Sequence, residues 1–319
     1  MEILFYLFAV IILAYLLSRA ADLIEDSFVY FAHRLRISTF VIGFLAVSIA
    51  SSLPEISVSI TSSLNGVPSL SVGHMLGASL ILITMILGIN TILHKKVPFK
   101  GSFGAPQIIL TAIVLGCQIV AIYDRNLTQA EGIFLILLYV IFAAYITTRS
   151  SRSSVEKHKT TKLSRKIILS SSAKSFVGIV GLVVCSVLIV ESATNLALAV
   201  GIPNAVVGLL VLALGTNVPE LVIMLRSQGT ESGKLVTGNL MGSASLNTGT
   251  LGLIGVLAPH HLANYSALIP VMTMLGLSLI IFAYLAYTGK ELTYREGGIL
   301  VGLYLAFLVA EGLPILRSL

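Results

Sequence analysis

Charged residues are scarce in this chain: lysine, arginine, aspartate and glutamate make up 11% of its 319 residues. An average soluble domain contains about 25%. Hydrophobic residues make up 56%, and the mean hydropathy is +0.98. These figures exclude an ordinary soluble domain and predict an all-α polytopic membrane protein.

Cysteine is almost absent as well. Cys117 and Cys185 both lie inside apolar stretches, which argues against a disulfide framework and favours core packing. The net charge is +6, but the basic residues lie between hydrophobic segments. The charge therefore does not indicate a nucleic-acid partner.

Ten segments are long and apolar enough to cross a bilayer, which takes about 17–25 mostly apolar residues. They are residues 1–18, 38–64, 68–93, 105–123, 129–148, 175–196, 205–227, 235–258, 266–287 and 297–315. The first run begins at Met1 without a basic n-region or a cleavage site, so we expect a retained span. Because five segments fall on each side of a polar stretch, we predict five-helix repeats at 1–148 and 175–319, with a basic linker at 149–174.

The distribution of lysine and arginine predicts the orientation. If the amino terminus is external, all 20 of these residues except Arg125 and Arg317 lie inside. Both termini are therefore predicted to be external and the central loop cytoplasmic, with a flexible linker near anionic headgroups. Since each half holds an odd number of spans, the repeat must be inverted. This pattern suits a plasma (inner) membrane, and an organelle stays open.

Two copies of one motif are separated by 165 residues (216 − 51): S-S-L-P-E at 51–55 and T-N-V-P-E at 216–220. The same offset relates Val41, Gly43, Leu45, Ser62, Leu70, Gly73 and Gly77 to Val206, Gly208, Leu210, Ser227, Leu235, Gly238 and Gly242. Glycine, proline and an acid are costly in a membrane helix, so the match argues against chance. A duplicated half with one buried carboxylate per copy predicts a cation transporter with its site at the repeat interface.

The first copy places its polar residues on one helical face. Ser48, Ser52, Glu55, Ser59 and Ser62 recur at intervals of three and four. Lipid would penalise this face, so we expect it to point into the bundle. Proline lacks an N–H, so Pro54 and Pro219 leave the carbonyls of Ala50 and Gly215 unbonded. Such carbonyls in broken membrane helices are suitable cation ligands.

The available oxygens favour a hard cation. Ca²⁺ takes about 6–8 oxygen ligands, and Glu55 and Glu220 would supply two each while balancing its charge. Further ligands would be hydroxyls and the carbonyls near Ser48, Ser51, Ala213 and Thr216. The hydroxyls of Ser51, Ser52 and Thr216, with the Asn217 amide, suit smaller Na⁺-like sites. No cluster of cysteine, methionine or histidine surrounds the motifs, which makes soft transition metals less favoured.

Other polar residues are weaker signals. Ser243 and Asn247 lie one turn apart beyond the second motif and can face the site. His74 takes the place of Asn239 of the other copy, and we favour a structural hydrogen bond over a proton-sensitive role. The paired glycines at 73/77 and 238/242 have the spacing that allows close helix packing.

At these residues the chain resembles the sodium/calcium exchangers of the cation/calcium antiporter superfamily. That family has two inverted repeats, each with a G-T-S-L-P-E-like segment followed by a G-N-x-x-G-S-like segment. The first copy here reads A-S-S-L-P-E at 50–55 and G-H-M-L-G-A at 73–78. The second reads G-T-N-V-P-E at 215–220 and G-N-L-M-G-S at 238–243. The five-plus-five plan covers the whole chain.

The resemblance implies that Glu55 and Glu220 bind Ca²⁺ together with the carbonyls of Ser51 and Thr216. It also implies flanking Na⁺ positions at Ser52, Asn217 and Ser243. By the family's mechanism, Na⁺ and Ca²⁺ would compete for overlapping sites during alternating access. The first helix of each repeat would slide across a fixed core.

Four positions depart from the family's pattern. Ala78 replaces a usual serine, and Leu82 stands where asparagine is common. Asn217 replaces a serine, and Asn247 is aspartate in some members. The first-repeat side of the site is therefore expected to have fewer oxygen ligands than the second.

We interpret the chain as a secondary-active Na⁺/Ca²⁺ antiporter rather than an enzyme. Its expected partners are membrane lipid and inorganic cations. We expect no resident cofactor and no nucleic acid, and a monomer is compatible with the sequence.

Two alternatives are open, and a third fails on the sequence. An H⁺-coupled exchanger of Ca²⁺ or another cation would use the two carboxylates as a coupled pair. An intramembrane aspartyl-type hydrolase also needs two acids, but both acids here are glutamates and no Gly-x-Gly-Asp element exists. A non-transporting protein of the same fold is favoured only by Ala78 and Leu82.

Overall fold

The computed structural model describes residues 2–32, 41–98, 104–151, 165–226, 230–262, 265–289 and 291–318. This part of the chain is almost entirely helical. Its α-helices, in chain order, are α1 (Glu2–Ala32), α2 (Ser48–Ser51), α3 (Leu53–Leu64), α4 (Pro68–Ile81), α5 (Leu87–His94), α6 (Ala105–Ala121), α7 (Gln129–Ser151), α8 (Arg165–Val200), α9 (Asn204–Val207), α10 (Ala213–Thr216), α11 (Val218–Arg226), α12 (Thr230–Leu257), α13 (Ile269–Thr288) and α14 (Tyr294–Ser318). Three π-helical segments, Ile42–Val47, Leu82–Ile86 and Gly208–Leu212, precede α2, α5 and α10, and a 3-10 turn at Tyr265–Leu268 precedes α13.

Seven helices in the described ranges are long and apolar enough to cross a membrane: Glu2–Leu23, Pro68–His94, Gln129–Arg149, Phe176–Val200, Val236–Leu257, Tyr265–Leu285 and Tyr294–Leu313. An eighth candidate is the bent pair Gly43–Ser51 and Leu53–Leu64, whose parts meet at 51°. Ala105–Ala121 and Asn204–Thr216 are apolar but shorter. The count of ten spans therefore stays a prediction.

Helices extend into both ends of the stretch predicted as a linker. α7 continues to Ser151 and α8 begins at Arg165, so residues 149–151 and 165–174 of that stretch are helical. A helix that leaves the bilayer keeps its internal backbone hydrogen bonds, which explains why polarity alone did not mark these ends. Residues 152–164 lie outside the described ranges.

Each Pro-Glu motif follows directly on a break in a helix. Ser52 separates α2 from α3 with φ −87° and ψ 6°, and Asn217 separates α10 from α11 with φ −83° and ψ 8°. Proline two residues later cannot donate a backbone hydrogen bond. The breaks expected before Glu55 and Glu220 are therefore present.

Close contacts between the two halves are reciprocal under the 165-residue offset. A Cβ placed on Gly77 would lie 2.6 Å from the Leu209 carbonyl oxygen. A Cβ placed on Gly242 would meet the carbonyl of Phe44 and lie 2.5 Å from Ser48 Oγ. Residues 77 and 242, and likewise 44 and 209, differ by 165. The glycines thus allow α4 and α12 to approach the segments before α10 and α2, as their spacing predicted.

Two short antiparallel ladders also join the halves. β1 (Lys96–Pro98) pairs with β4 (Glu291–Thr293), and β2 (Asn126–Leu127) pairs with β3 (His260–His261). Each strand pair links the end of a central helix to the start of the last helix of the other half. Both of those last helices begin with a Thr–Glu cap, Thr128 with Glu131 and Thr293 with Glu296.

α1 packs lengthwise against α8. Val10 and Leu17 of α1 are buried with Leu182 and Ile189 of α8 in one cluster. Many apolar side chains on the remaining faces of these helices are exposed, as expected for helices that face lipid.

Candidate functional site

The two repeat carboxylates lie inside the protein, each in the first turn of a helix that follows a break. Glu55 of α3 is 2% exposed and Glu220 of α11 is 1% exposed. They are close enough to interact electrostatically. Among the described residues neither carboxylate oxygen of Glu55 has a well-aligned hydrogen-bond donor, although the Thr216 hydroxyl is near. Burying a carboxylate in this way is costly unless a cation or a proton compensates it.

Ser243 contacts the second-repeat carboxylate, Glu220. Its hydroxyl donates to Glu220 Oε1 at 3.5 Å, and it is fully buried on α12. Asn247 follows one turn later on the same helix and is 1% exposed. Ser243 therefore lies beside Glu220, and the role of Asn247 at the site stays a prediction.

Ser51 and Thr216 occupy equivalent places at the ends of α2 and α10. Ser51 Oγ donates to Asn239 Oδ1 of the other half at 3.1 Å. Thr216 Oγ1 lies 2.9 Å from His74 Nε2, again across the halves. Both hydroxyls are buried, and each motif thereby contacts the glycine-containing helix of the other half, α12 or α4.

The other candidate ligands lie one turn before or directly at the breaks. The Ser48 hydroxyl donates to the Phe44 carbonyl, while its own carbonyl accepts the Ser52 backbone N–H at 3.0 Å. Asn217 Nδ2 donates to the Ala213 carbonyl at 2.8 Å. Asn217 Oδ1 is buried without a hydrogen-bond partner in the described part of the chain. An oxygen left in that state is available to a cation.

The first-repeat side is poorer in oxygen. Ala78 and Leu82 are 0% and 1% exposed and belong to the main apolar core. Their equivalents at the 165-residue offset are Ser243 and Asn247. The candidate site therefore has an apolar wall on the first-repeat side and a polar wall on the second-repeat side.

Sequence reasoning missed three buried polar side chains next to Asn247. Ser79, Gln118 and Thr248 are fully buried and joined by hydrogen bonds. A signal was present, because Gln118 is an amide inside an otherwise apolar span. Its partners come from other helices, so their convergence was not visible in the sequence.

This set of groups suits a hard cation. It combines two carboxylates with neutral hydroxyl, amide and carbonyl oxygens. Within the described ranges no group of three or more histidine, cysteine, aspartate or glutamate side chains is placed to hold a metal ion. Oxygen-only ligand sets favour Ca²⁺, Mg²⁺ or alkali ions over soft transition metals.

Several relatives match most of the chain. An uncharacterised membrane protein of Methanocaldococcus jannaschii is 26% identical over 81% of this chain and 83% of its own length. Inner membrane protein YrbG of Escherichia coli is 29% identical over 82% of each chain. The sodium/calcium exchanger MaX1 of Methanosarcina acetivorans is 26% identical over 92% of this chain and 94% of its own length.

The fold is also similar to solved structures of the sodium-calcium exchanger NCX_Mj. One of them has a TM-score of 0.67 at 22% identity and covers 97% of this chain and 99% of the other. A sequence profile of the sodium/calcium exchanger protein family matches residues 5–148 and 172–311. These two ranges span nearly the whole of both halves, and the chain therefore belongs to the sodium/calcium exchanger protein family.

Proposed function

We propose that this chain is a secondary-active antiporter that exchanges Na⁺ for Ca²⁺ by alternating access. The observation that supports this most is the burial of Glu55 and Glu220 at two helix breaks, one from each half. No lysine or arginine of the described residues pairs with Glu55. A buried pair of like charges is costly, and a divalent cation between them would relieve that cost.

The proposed Ca²⁺ ligands are the carboxylates of Glu55 and Glu220 with the carbonyls of Ser51 and Thr216. Ser52, Asn217 and Ser243 are proposed to flank them at Na⁺ positions, and Asn247 with the backbone of Ser48 and Ala213 would complete the ligand set. The unpartnered Asn217 Oδ1 and the Ser243–Glu220 contact support this assignment. The Ala213 carbonyl already accepts one hydrogen bond and would offer its second lone pair.

The proposed architecture is ten spans in two inverted five-helix repeats, 1–148 and 175–319, joined at 149–174. The reciprocal glycine contacts support it, because they map onto each other under the 165-residue offset. The two β ladders also support it, because they join corresponding segments of the two halves. By the charge distribution, both termini would be external and the central loop cytoplasmic. We propose a plasma (inner) membrane location, which the naming of the Escherichia coli relative supports, and lipid as the surrounding partner.

Transport in proteoliposomes tests the proposal. Vesicles of purified protein loaded with Na⁺ are diluted into choline medium that contains radioactive Ca²⁺, and uptake is compared with choline-loaded vesicles. We expect uptake only with the outward Na⁺ gradient and its collapse by a Na⁺ ionophore. Equal uptake in both vesicle types would contradict Na⁺ coupling.

An H⁺-coupled exchanger is the second candidate. It is favoured by the apolar side chains of Ala78 and Leu82, which leave fewer oxygens for Na⁺. Ca²⁺ uptake into the same vesicles, now acidic inside and free of Na⁺, distinguishes the two candidates. Uptake that follows the pH gradient and ignores Na⁺ would establish this candidate instead.

A further inference from the structure

A chain of hydrogen bonds leads from Asn247 to α6. Asn247 Nδ2 lies 3.4 Å from Ser79 Oγ, which lies 3.2 Å from Gln118 Oε1. Gln118 Nε2 lies 2.9 Å from Thr248 Oγ1, which lies 3.4 Å from the Val114 carbonyl oxygen. All four side chains are at most 1% exposed. Water therefore does not compete for these hydrogen bonds.

The far end of this hydrogen-bond chain fixes the orientation of Gln118. The Val114 carbonyl can only accept, so the Thr248 hydroxyl donates to it and must accept from the Gln118 amide nitrogen. Gln118 then holds the Ser79 hydroxyl with both ends of its amide, since Oε1 and Nε2 each lie 3.2 Å from Ser79 Oγ. Ser79 Oγ, held in this way, accepts from Asn247 Nδ2 at 3.4 Å.

The contact with Ser79 decides which atom Asn247 presents on its other side. In an amide the oxygen and nitrogen point apart, so Oδ1 is directed away from Ser79. Asn247 lies one turn after Ser243 on α12, and Ser243 contacts Glu220. Residues four apart share a helical face. The amide oxygen, and not its NH₂ group, is thereby offered on the side of the proposed ion site.

We propose that Gln118 is a positioning residue that sets the ion affinity of this site by fixing the orientation of the Asn247 amide. The inference rests on the proposed function, since it needs a cation beside Asn247. Gln118 is not proposed as a ligand, because Ser79 and Thr248 already use both of its polar atoms. Without this support the Asn247 amide could turn over. Its NH₂ group, the positive end of the amide dipole, would then face the cation.

The pair of amides, Asn247 and Gln118, has no polar equivalent at the 165-residue offset. At the 165-residue offset, Asn247 corresponds to Leu82 and Gln118 to Ala283, both apolar. The polar wall of the site and the residue that orients it are therefore found together. A divalent ion draws mainly on the two carboxylates, so we expect Na⁺ binding to be the more sensitive to the amide.

Two substitutions test the orientation of the Asn247 amide without changing a proposed ligand. Gln118→Met removes both amide contacts to Ser79, and Thr248→Val removes the donor to Val114 that fixes Gln118. Either change allows the Asn247 amide to reverse. We expect both to raise the Na⁺ concentration for half-maximal thermal stabilisation, and for half-maximal exchange, about tenfold. Thr111→Val is the matched control, because among the described residues this buried α6 hydroxyl bonds only to the Gln107 carbonyl of its own helix.

The decisive measurement repeats Gln118→Met in an Asn247→Asp background. A carboxylate has two equivalent oxygens and no orientation to fix, so the tenfold effect should disappear there. If Na⁺ stabilises the wild type and Gln118→Met shows the same half-maximal Na⁺ concentration, the inference about Gln118 is wrong. The proposed function would not be affected by that result. An equal loss in the Asn247→Asp background, or in Thr111→Val, would show general structural damage and also overturn it. Absence of any Na⁺ effect on the wild type would overturn the proposed function together with the inference.

Discussion

Thr216 and His74 are joined by a hydrogen bond of 2.9 Å that crosses between the two halves of the molecule. The equivalent pair in the other direction is Ser51 and Asn239, at 3.1 Å. His74 also contacts Ser59 Oγ through Nδ1 at 3.2 Å. The imidazole therefore replaces an amide and keeps the cross-half contact, which agrees with the structural interpretation of His74.

Loss of the imidazole should destabilise the fold. His74→Leu leaves the buried Ser59 and Thr216 hydroxyls without this partner, and we expect the free energy of unfolding to fall by about 1–3 kcal/mol. His74→Asn copies the other half and should cost less. Thermal unfolding in detergent measures both, with the exposed His261→Leu as control. Equal stability of His74→Leu and wild type would contradict the structural role.

Neutralisation of either repeat glutamate should abolish Ca²⁺-dependent flux. Glu55→Gln and Glu220→Gln keep the side-chain shape, but each leaves a divalent ion half neutralised in a region of low dielectric. Folding should survive, as judged by size-exclusion chromatography. Glu191→Gln is the control, because Glu191 lies on α8 with an exposed side chain. Wild-type rates of Ca²⁺ uptake in both variants would contradict the site assignment.

The sequence was sufficient for the helical membrane class and for the places of the two helix breaks. Hydrophobic length predicted the long spans, and proline chemistry predicted the interruptions before Glu55 and Glu220. These are local properties. The match of glycines between copies also predicted close packing, and Gly77 and Gly242 lie at such contacts.

The remaining contacts of the site depend on tertiary packing between distant helices, which the sequence alone does not specify. The partners of Gln118 come from α4 and α12, which lie 39 and 130 residues away along the chain. The offset aligned His74 with Asn239, but it could not say that each would reach the opposite motif. Length alone also does not decide whether a short apolar segment such as Asn204–Thr216 crosses the membrane.

The orientation in the membrane can be tested with two reporter cysteines. In a background without native cysteines, Ser154→Cys should react only from the cytoplasmic side and Asn264→Cys only from outside, because lysine and arginine favour the inside. Both positions lie outside the described residues. Membrane-impermeant maleimide applied to intact cells and to inverted vesicles gives the answer. The opposite pattern of labelling would overturn the charge-based orientation and leave the inverted repeat intact.

Oxygen ligands restored on the first-repeat side should strengthen Na⁺ binding. Ala78→Ser with Leu82→Asn adds a hydroxyl and an amide where Ser243 and Asn247 stand on the other side. Each new ligand to a desolvated cation is worth about 1.5–3 kcal/mol, or roughly tenfold or more in affinity. The Na⁺ dependence of Ca²⁺ uptake should show a lower half-saturating concentration or a higher Hill coefficient.

The same pair of changes away from the site provides the control for that experiment. Ala121→Ser with Leu87→Asn also alters buried positions, but it should not improve Na⁺ dependence. A native protein with steep, three-ion Na⁺ dependence that the double substitution leaves unchanged would show that positions 78 and 82 do not limit coupling.

The reciprocal glycine contacts predict a matched pair of destabilising substitutions. Gly77→Ala would place a methyl group 2.6 Å from the Leu209 carbonyl oxygen, and Gly242→Ala would place one against the Phe44 carbonyl. Backbone must move in both cases, so we expect each to lower the free energy of unfolding by about 1–3 kcal/mol. Gly116→Ala on α6 has nothing within 4 Å of the new Cβ and should be neutral or stabilising by about 0.5–1 kcal/mol, the helix preference for alanine over glycine. Thermal unfolding of the three variants in one detergent compares them directly. If Gly77→Ala loses stability while Gly242→Ala does not, the two contacts are not equivalent, and the reciprocal packing of the halves is wrong.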